Sequence, residues 1–117
     1  MNAHDLLSGL RHEARDRAYF THVEILEQST SLIKARLYIS ADLFVQVYRN
    51  DRFDTTNLVL IHNGQRLYAR DQLGGIWHRH TATAPLLHDT GPEGRRPTTL
   101  GEFLDETETV LASLGLP

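Results

Sequence analysis

The stretch NLVLIHNGQRLYAR, residues 57–70, decides the fold of this chain. An apolar run precedes Asn63-Gly64 and an alternating run follows it, so that the two residues separate a pair of strand-like segments. A two-residue type I′ turn needs positive φ at both central positions, and Asn-Gly is the dipeptide that best tolerates this. The stretch therefore predicts an antiparallel hairpin with His62 opposite Gln65.

Further strands are predicted on both sides of this hairpin. Residues 32–39 and 43–49 alternate between apolar and polar side chains, which is typical of half-buried strands. Residues 21–28 form a weaker first strand, and 76–80 form a last strand after a Gly-rich turn at 71–75. The pattern predicts a meander of five or six antiparallel strands.

A helix is predicted at each end of the meander. Residues 5–19 carry apolar side chains at helical spacing, and Thr99 and Glu102 fit a capping box at the start of a second helix. Residues 81–97, rich in Pro and Gly, are expected to be irregular. We predict a single α+β domain over residues 1–117, with an N-terminal helix, the meander sheet, a C-terminal helix and both helices on one sheet face.

The composition excludes several classes of protein and site. The 117 residues include no cysteine, which excludes disulfides, zinc–thiolate sites and thiol nucleophiles. The formal net charge of −3 is unlike that of a dedicated duplex-DNA binder. The chain starts without the basic and apolar segments of a secretory signal, and no apolar run is long enough to span a bilayer. We expect a cytoplasmic protein with no membrane partner.

The hairpin turns also predict which side chains share a sheet face. They place Val45 opposite Leu37 and Leu60, on an apolar face that would form the core under the helices. We call the face away from the helices face two. It is expected to carry Lys34, Arg36, Tyr38, Phe44, Gln46, Tyr48, Asn57, Val59, Ile61, Arg66, Tyr68, Arg70, Ile76, His78 and His80.

Face two is too apolar for ordinary solvent-facing surface and too charged for a core, and such a patch is typical of an interaction site. Three interpretations remain open. Face two is a homodimer interface with aromatic residues at its centre and arginines at its rim, a ligand or active-site concavity, or a plain solvated face partly covered by residues 81–97. The first two interpretations are compatible.

His78-Arg79-His80 is the sharpest local motif, because residues two apart on a strand point the same way. The 71–75 turn is expected to place Tyr68 opposite His78 and Arg66 opposite His80. A histidine pair can supply one acid and one base, and an arginine can hold a phosphate through paired hydrogen bonds.

These are the parts of a metal-independent ribonuclease, with tyrosines available to stack on unpaired bases. Within it, His78 and His80 would transfer protons, Arg66 or Arg70 would hold the phosphate and Tyr68 would assist. The predicted catalytic residues are His78, His80, Tyr68 and Arg66, and the predicted ligand-binding residues are Arg36, Tyr38, Tyr48 and Arg70.

The same His-x-His pair is also a partial metal site for zinc, copper or non-haem iron. A third ligand would have to come from elsewhere, and no motif places one. The candidates are His22, Glu24, Asp54 and His88. We therefore expect unliganded histidines, with no metal and no cofactor.

The chain resembles the TumE-like toxin family of bacterial and archaeal toxin–antitoxin pairs. The resemblance is carried by the opening helix and four segments. They are Phe44-Val45-Gln46-Val47-Tyr48-Arg49, residues 65–71, Trp77-His78-Arg79-His80 and Thr99-Leu100-Gly101-Glu102-Phe103-Leu104. The family's Trp-Asp-Asn-x-x-x-His-His run is absent, since His78 follows Trp77 directly. The resemblance implies a toxin that an adjacent antitoxin neutralises, and it supplies no catalytic residues.

Two functions follow from these patterns. The first is a small toxin-like protein that acts on single-stranded RNA through face two, with an antitoxin as its partner. The alternative is a non-enzymatic homodimeric binding domain that uses the same face. The sequence leaves open whether the protein is an enzyme.

Overall fold

The Asn63-Gly64 turn has φ of 52° and 76° at its two residues, and His62 lies opposite Gln65 as predicted. The computed structural model describes residues 1–81, 84–89 and 91–116. Two helices enclose the strands in sequence, and a 3₁₀ turn at Asp51–Phe53 separates the third strand from the fourth. The elements are α1 (Ala3–Asp16), β1 (His22–Gln28), β2 (Leu32–Ser40), β3 (Leu43–Asn50), β4 (Thr55–His62), β5 (Gln65–Leu73), β6 (Ile76–Thr81), β7 (Ala84–Asp89) and α2 (Leu100–Ser113).

The strands form one antiparallel sheet in sequential order from β1 to β7. This confirms the predicted α+β meander with a helix at each end. Strand β7 lies within residues 81–97, which were expected to be irregular, and Asp89 in β7 pairs with Arg79 in β6. No helix among the described residues is long and apolar enough to cross a membrane.

Both helices begin with a side-chain cap, and the predicted capping box at Thr99 and Glu102 is confirmed. The Asn2 side chain accepts a hydrogen bond from the Asp5 N–H at 2.8 Å. At α2, the Thr99 N–H donates to Glu102 and the Glu102 N–H donates to the Thr99 hydroxyl, at 3.0 and 3.1 Å. This is the reciprocal capping box, which satisfies backbone donors that the first turn of a helix leaves without partners.

The core lies between the helices and the apolar face of the sheet. Val45 pairs with Leu37 and Leu60, as predicted, and all three side chains are fully buried. Leu10 of α1 and Phe103 of α2 cover them from the helix layer. Each such side chain contributes roughly 1.5–3 kcal/mol on burial, so the alternating strands have a strong reason to keep this face inward.

The predicted register is wrong in β5, because that strand contains a β-bulge. Ile61 pairs with Arg66 as expected, but Leu60 pairs with Tyr68 rather than with Leu67. Leu67 is the extra residue, and a bulge reverses the face of every residue that follows it in the strand. Tyr68 and Arg70 therefore lie on the core face.

The predicted turn between β5 and β6 is also wrong. Strand β5 continues to Leu73, and Gly74-Gly75 forms a two-residue turn with φ of 56° and 85°. Both values lie in the left-handed region that glycine adopts without strain. As a result, Asp71 lies opposite His78 and Ala69 lies opposite His80, in place of the predicted Tyr68 and Arg66.

Candidate functional site

Three titratable side chains converge on face two across β5 and β6. One ligand atom from each of Asp71, His78 and His80 lies within 4.8 Å of the other two. The Asp71 Oδ2 atom is 3.4 Å from Nε2 of His80. Asp71 and His78 are each 8% exposed and His80 is 1% exposed, so the cluster is largely shielded from bulk water.

The position of the cluster follows from local chain geometry. The Gly74-Gly75 turn sets Asp71 opposite His78, and His80 lies two residues further along the same face. The two imidazole rings are 6.1 Å apart and nearly perpendicular, at 76°. Asn57 of β4 donates from Nδ2 to Asp71 Oδ1 at 3.0 Å, which fixes the carboxylate from the neighbouring strand.

Of the predicted catalytic residues, His78, His80 and Arg66 lie on face two. Arg66 is half-buried, and its Nε atom has no hydrogen-bond partner among the residues that the structure describes. On β5, Arg66 and Ala69 are neighbouring residues of face two, and Ala69 pairs with His80 on β6. Arg66 is therefore a neighbour of the cluster along its own strand.

Tyr68 does not join this group. It packs in the core, where its ring stacks on Phe103 of α2 with centroids 5.7 Å apart. Burial raises the pKa of the Tyr68 hydroxyl, and the Glu106 carboxylate raises it further. Its place on the core face separates Tyr68 from the histidines by the thickness of the sheet.

Arg70 is likewise on the core face and is fully buried. Its guanidinium donates to both carboxylate oxygens of Glu106, at 2.8 and 2.7 Å, and to the Glu93 carbonyl oxygen at 2.7 Å. Burial works to lower the pKa of Arg70, but its hydrogen bonds to the Glu106 carboxylate and its interactions with the Glu106 charge and Tyr68 more than reverse this, so the pKa is raised. Arg70 thus joins the sheet to α2 and is not presented to a ligand on face two.

The other predicted ligand-binding residues are on face two, in β2 and β3. Arg36 is held by Gln46, whose Oε1 accepts from Nε at 3.1 Å, and its Cζ atom lies 4.7 Å from the centre of the Phe44 ring. Tyr38 stacks on His22 at 4.5 Å, and Tyr48 is half-buried. These side chains form an aromatic and basic band that begins at the β1 edge.

The third metal ligands considered from the sequence have other positions. His22 and Glu24 both contact Tyr38 at the β1 edge of the sheet. Asp54 Oδ1 is paired with Arg49 at 2.9 Å. The side chain of His88 lies outside the described part of the structure.

Asp71 is the cluster member that the sequence interpretation did not identify. The signal was present, because Gly-Gly is a recognised two-residue hairpin dipeptide. Treating Gly74-Gly75 as the whole turn places Asp71 opposite His78 directly. The turn predicted at residues 71–75 instead counted Asp71 as a loop residue.

Comparison with known proteins gives no match to any family model, any curated protein or any solved structure. The resemblance to the TumE-like toxins stays a prediction. The geometry of face two is therefore the basis for a functional proposal.

Proposed function

We propose that this chain is a small toxin-like protein that acts on single-stranded RNA, with its reaction centre at Asp71, His78 and His80. The observation that carries the proposal is that this buried cluster shares face two with a band of basic and aromatic side chains. A reaction centre and a surface suited to a flexible polyanion therefore lie on one side of the sheet.

The basic residues of face two are available for phosphate groups. Lys34 and Arg66 form no ion pair with a carboxylate among the described residues, and Arg36 is held by the neutral groups of Gln46 and Tyr38. Guanidinium and ammonium groups without carboxylate partners are well suited to phosphate oxygens.

The aromatic residues of face two suit unpaired bases. Phe44 and Tyr48 lie on β3, two positions before and two positions after Gln46, and both are half-buried. Each ring is therefore held by its neighbours on one side and accessible on the other. Stacking on such rings contributes roughly 1–3 kcal/mol per base in single-strand binders. The distance from β2 to β6 is four strand spacings, or about 19 Å, which is long enough for a short RNA segment to cross.

The mild acidity of the chain agrees with this proposal because much of the negative charge lies on the opposite side. The α2 helix covers the core face, and it carries Glu102, Asp105, Glu106 and Glu108 with no basic residue. Asp105 and Glu108 have side chains that are 71% and 43% exposed. Both of these carboxylates are paired with Arg17, and Glu102 and Glu106 are paired with Arg96, so these negative charges are held in ion pairs on the helix side, away from face two.

Induced expression of the wild type and of a His78→Ala plus His80→Ala variant tests the proposal. The wild type is expected to inhibit growth and, after purification, to cut single-stranded RNA, and the double variant is expected to do neither. His12→Ala is the matched control, because His12 is an exposed helical histidine paired with Asp16. A wild type without effect, or a double variant that retains it, would refute the proposal.

A second candidate function is homodimeric binding through face two. Leu73 and Ile76 pair across the β5–β6 hairpin beside the cluster, and they are 47% and 63% exposed. Paired apolar side chains at this level of exposure favour contact with a second surface. Light scattering at micromolar concentration tests this, with a dimer expected for the wild type and a monomer for Ile76→Glu. A monomeric wild type would exclude the dimer.

A further inference from the structure

We infer that Asp71, His78 and His80 bind one divalent first-row transition-metal ion, of which zinc(II) is the best representative. The inference deepens the proposed function and rests on it for the catalytic role of the ion. The binding itself can be measured without RNA. It replaces the expectation of unliganded histidines drawn from the sequence.

The donor set determines the class of ion. Two imidazole nitrogens and one carboxylate oxygen are the ligands of catalytic zinc sites and of the non-haem iron facial triad. Calcium and magnesium prefer sites made of oxygen ligands alone. Three protein ligands also leave coordination positions open for water or for a substrate oxygen.

The distances are those of a site close to its bound geometry. Ligand atoms that are ~2.1 Å from one metal ion lie about 3.0–3.4 Å apart in octahedral or tetrahedral arrangements. The Asp71 Oδ2 to His80 Nε2 distance of 3.4 Å already meets this requirement. All three ligand atoms lie within 4.8 Å of one another, so small side-chain adjustments would bring them to the spacing of a bound ion.

The surroundings of Asp71 also suit a metal ligand. Asn57 donates to Oδ1, and Oδ2 is the oxygen directed at His80, so that one carboxylate oxygen is anchored while the other is presented. Ligating carboxylates are commonly held in this way by outer-shell hydrogen bonds. Near-complete burial of the three side chains lowers the local dielectric constant, which strengthens the attraction between the carboxylate and a cation.

A simple Asp–His hydrogen bond would not require the third residue. His78 lies on β6, the strand that also carries His80, and it is directly opposite Asp71 on β5. A bound ion would act as a Lewis acid on a phosphoryl oxygen and would lower the pKa of bound water. The two histidines would then serve as ligands rather than as the acid and base predicted from the sequence.

Metal titration of the full-length chain after treatment with a chelator tests the inference. Cobalt(II) is followed by visible absorption and zinc(II) by calorimetry, and we expect one ion per chain with a micromolar or tighter Kd. Asp71→Asn and His80→Gln are expected to weaken zinc binding by at least ~10-fold, since even outer-shell changes cost that much at such sites. His12→Ala is expected to bind as tightly as the wild type.

Two further measurements make each outcome decisive. Circular dichroism shows whether each variant is folded, and zinc is expected to raise the Tm of the wild type because the ion binds the native state. If the variants do not fold, the cobalt spectrum and the histidine NMR shifts of the wild type decide whether histidines ligate the ion. No stoichiometric binding, or a folded Asp71→Asn that binds like the wild type, would overturn the inference.

Failure of the metal site and failure of the proposed function give different results. If RNA cleavage persists in excess chelator, the catalytic role of the metal is refuted and the RNA-directed function stands. If zinc binds stoichiometrically but no RNA is cleaved, the metal site stands and RNA is refuted as the substrate.

Discussion

Arg70 on β5 donates from Nε and Nη2 to the two carboxylate oxygens of Glu106 on α2, at 2.8 and 2.7 Å. The arginine is fully buried, while the Glu106 side chain is 22% exposed. A paired guanidinium–carboxylate contact of this kind fixes orientation as well as distance. It ties α2 to the part of β5 that continues directly into Asp71.

Arg70→Met is expected to lower the free energy of unfolding by about 3 kcal/mol, because it removes one partner of a largely buried ion pair. The loss is at the low end for such pairs, since Arg96 also contacts Glu106 at 3.1 Å. Urea unfolding followed by circular dichroism measures it. Arg96→Met, at a position 35% exposed, is the control and should cost less than ~1 kcal/mol. Equal losses for the two variants would contradict a central role for Arg70.

Asn57→Ala is expected to weaken zinc binding by ~10-fold or more while leaving the three ligands in place. The reason is that Asn57 holds Asp71 Oδ1 at 3.0 Å and thereby orients Oδ2. Calorimetry with zinc(II) measures the change. Gln46→Ala removes a different amide from face two and should leave the affinity unchanged. If Asn57→Ala leaves the Kd for zinc unchanged, the Asp71 carboxylate does not need the Asn57 hydrogen bond for its orientation.

Gly75→Ala is expected to destabilise the β5–β6 hairpin by about 1–2 kcal/mol, the cost of placing an L-residue in the left-handed region. Gly75 has a φ of 85°, and an added Cβ would lie 2.8 Å from Asp54 Oδ2. Thermal unfolding measures the loss. Gly9→Ala is the control, because its Cβ would meet nothing within 4 Å and a helix favours alanine. A Tm for Gly75→Ala at or above that of the wild type would contradict the observed turn.

Asp51 is expected to contribute stability that is lost in acid. Burial works to raise its pKa, but hydrogen bonds from the Ala3 N–H and from Arg49 lower it below the ordinary value of 3.8. A group with a depressed folded-state pKa contributes its full stability above its unfolded pKa, and this contribution disappears as the pH falls through the folded value.

Asp51→Asn should therefore be less stable than the wild type at neutral pH, and the difference should shrink as the pH falls below about 4. Urea unfolding at a series of pH values measures this. Asp16→Asn, at a side chain 60% exposed, is the control and should change stability little at neutral pH. A constant difference between Asp51→Asn and the wild type across the acid range would contradict the assigned hydrogen bonds.

The architecture was largely predictable because it rests on local patterns. Asn63-Gly64 defined one hairpin, and the alternation from Ile33 to Val47 defined two strands and their inward face. The Thr99 capping box marked the start of α2. Each of these signals depends on residues a few positions apart, so the sequence carries it in full.

The candidate site was only partly predictable. His78 and His80 were identified from their spacing, which a strand converts directly into a shared face. Asp71 depended on the length of one turn, and β7 lay in a segment whose Pro and Gly content favoured irregular structure. A two-residue turn at Gly74-Gly75 would have placed Asp71 opposite His78, but the face that Asp71 occupies depends on the bulge at Leu67, and β7 depends on its pairing with β6.

The sequence by itself determined the meander, its inward face and the paired histidines, because period-two alternation and turn chemistry act locally. Only the tertiary structure decided that Tyr68 and Arg70 belong to the core. The bulge at Leu67 allows Tyr68 to stack on Phe103 and Arg70 to meet Glu106, in a helix far along the chain. The same shift in register places Asp71 on face two, beside the histidines. Side chains alternate along a strand, so the contacts of Tyr68 and Arg70 with α2 on the core face also fix which β5 residues lie on face two.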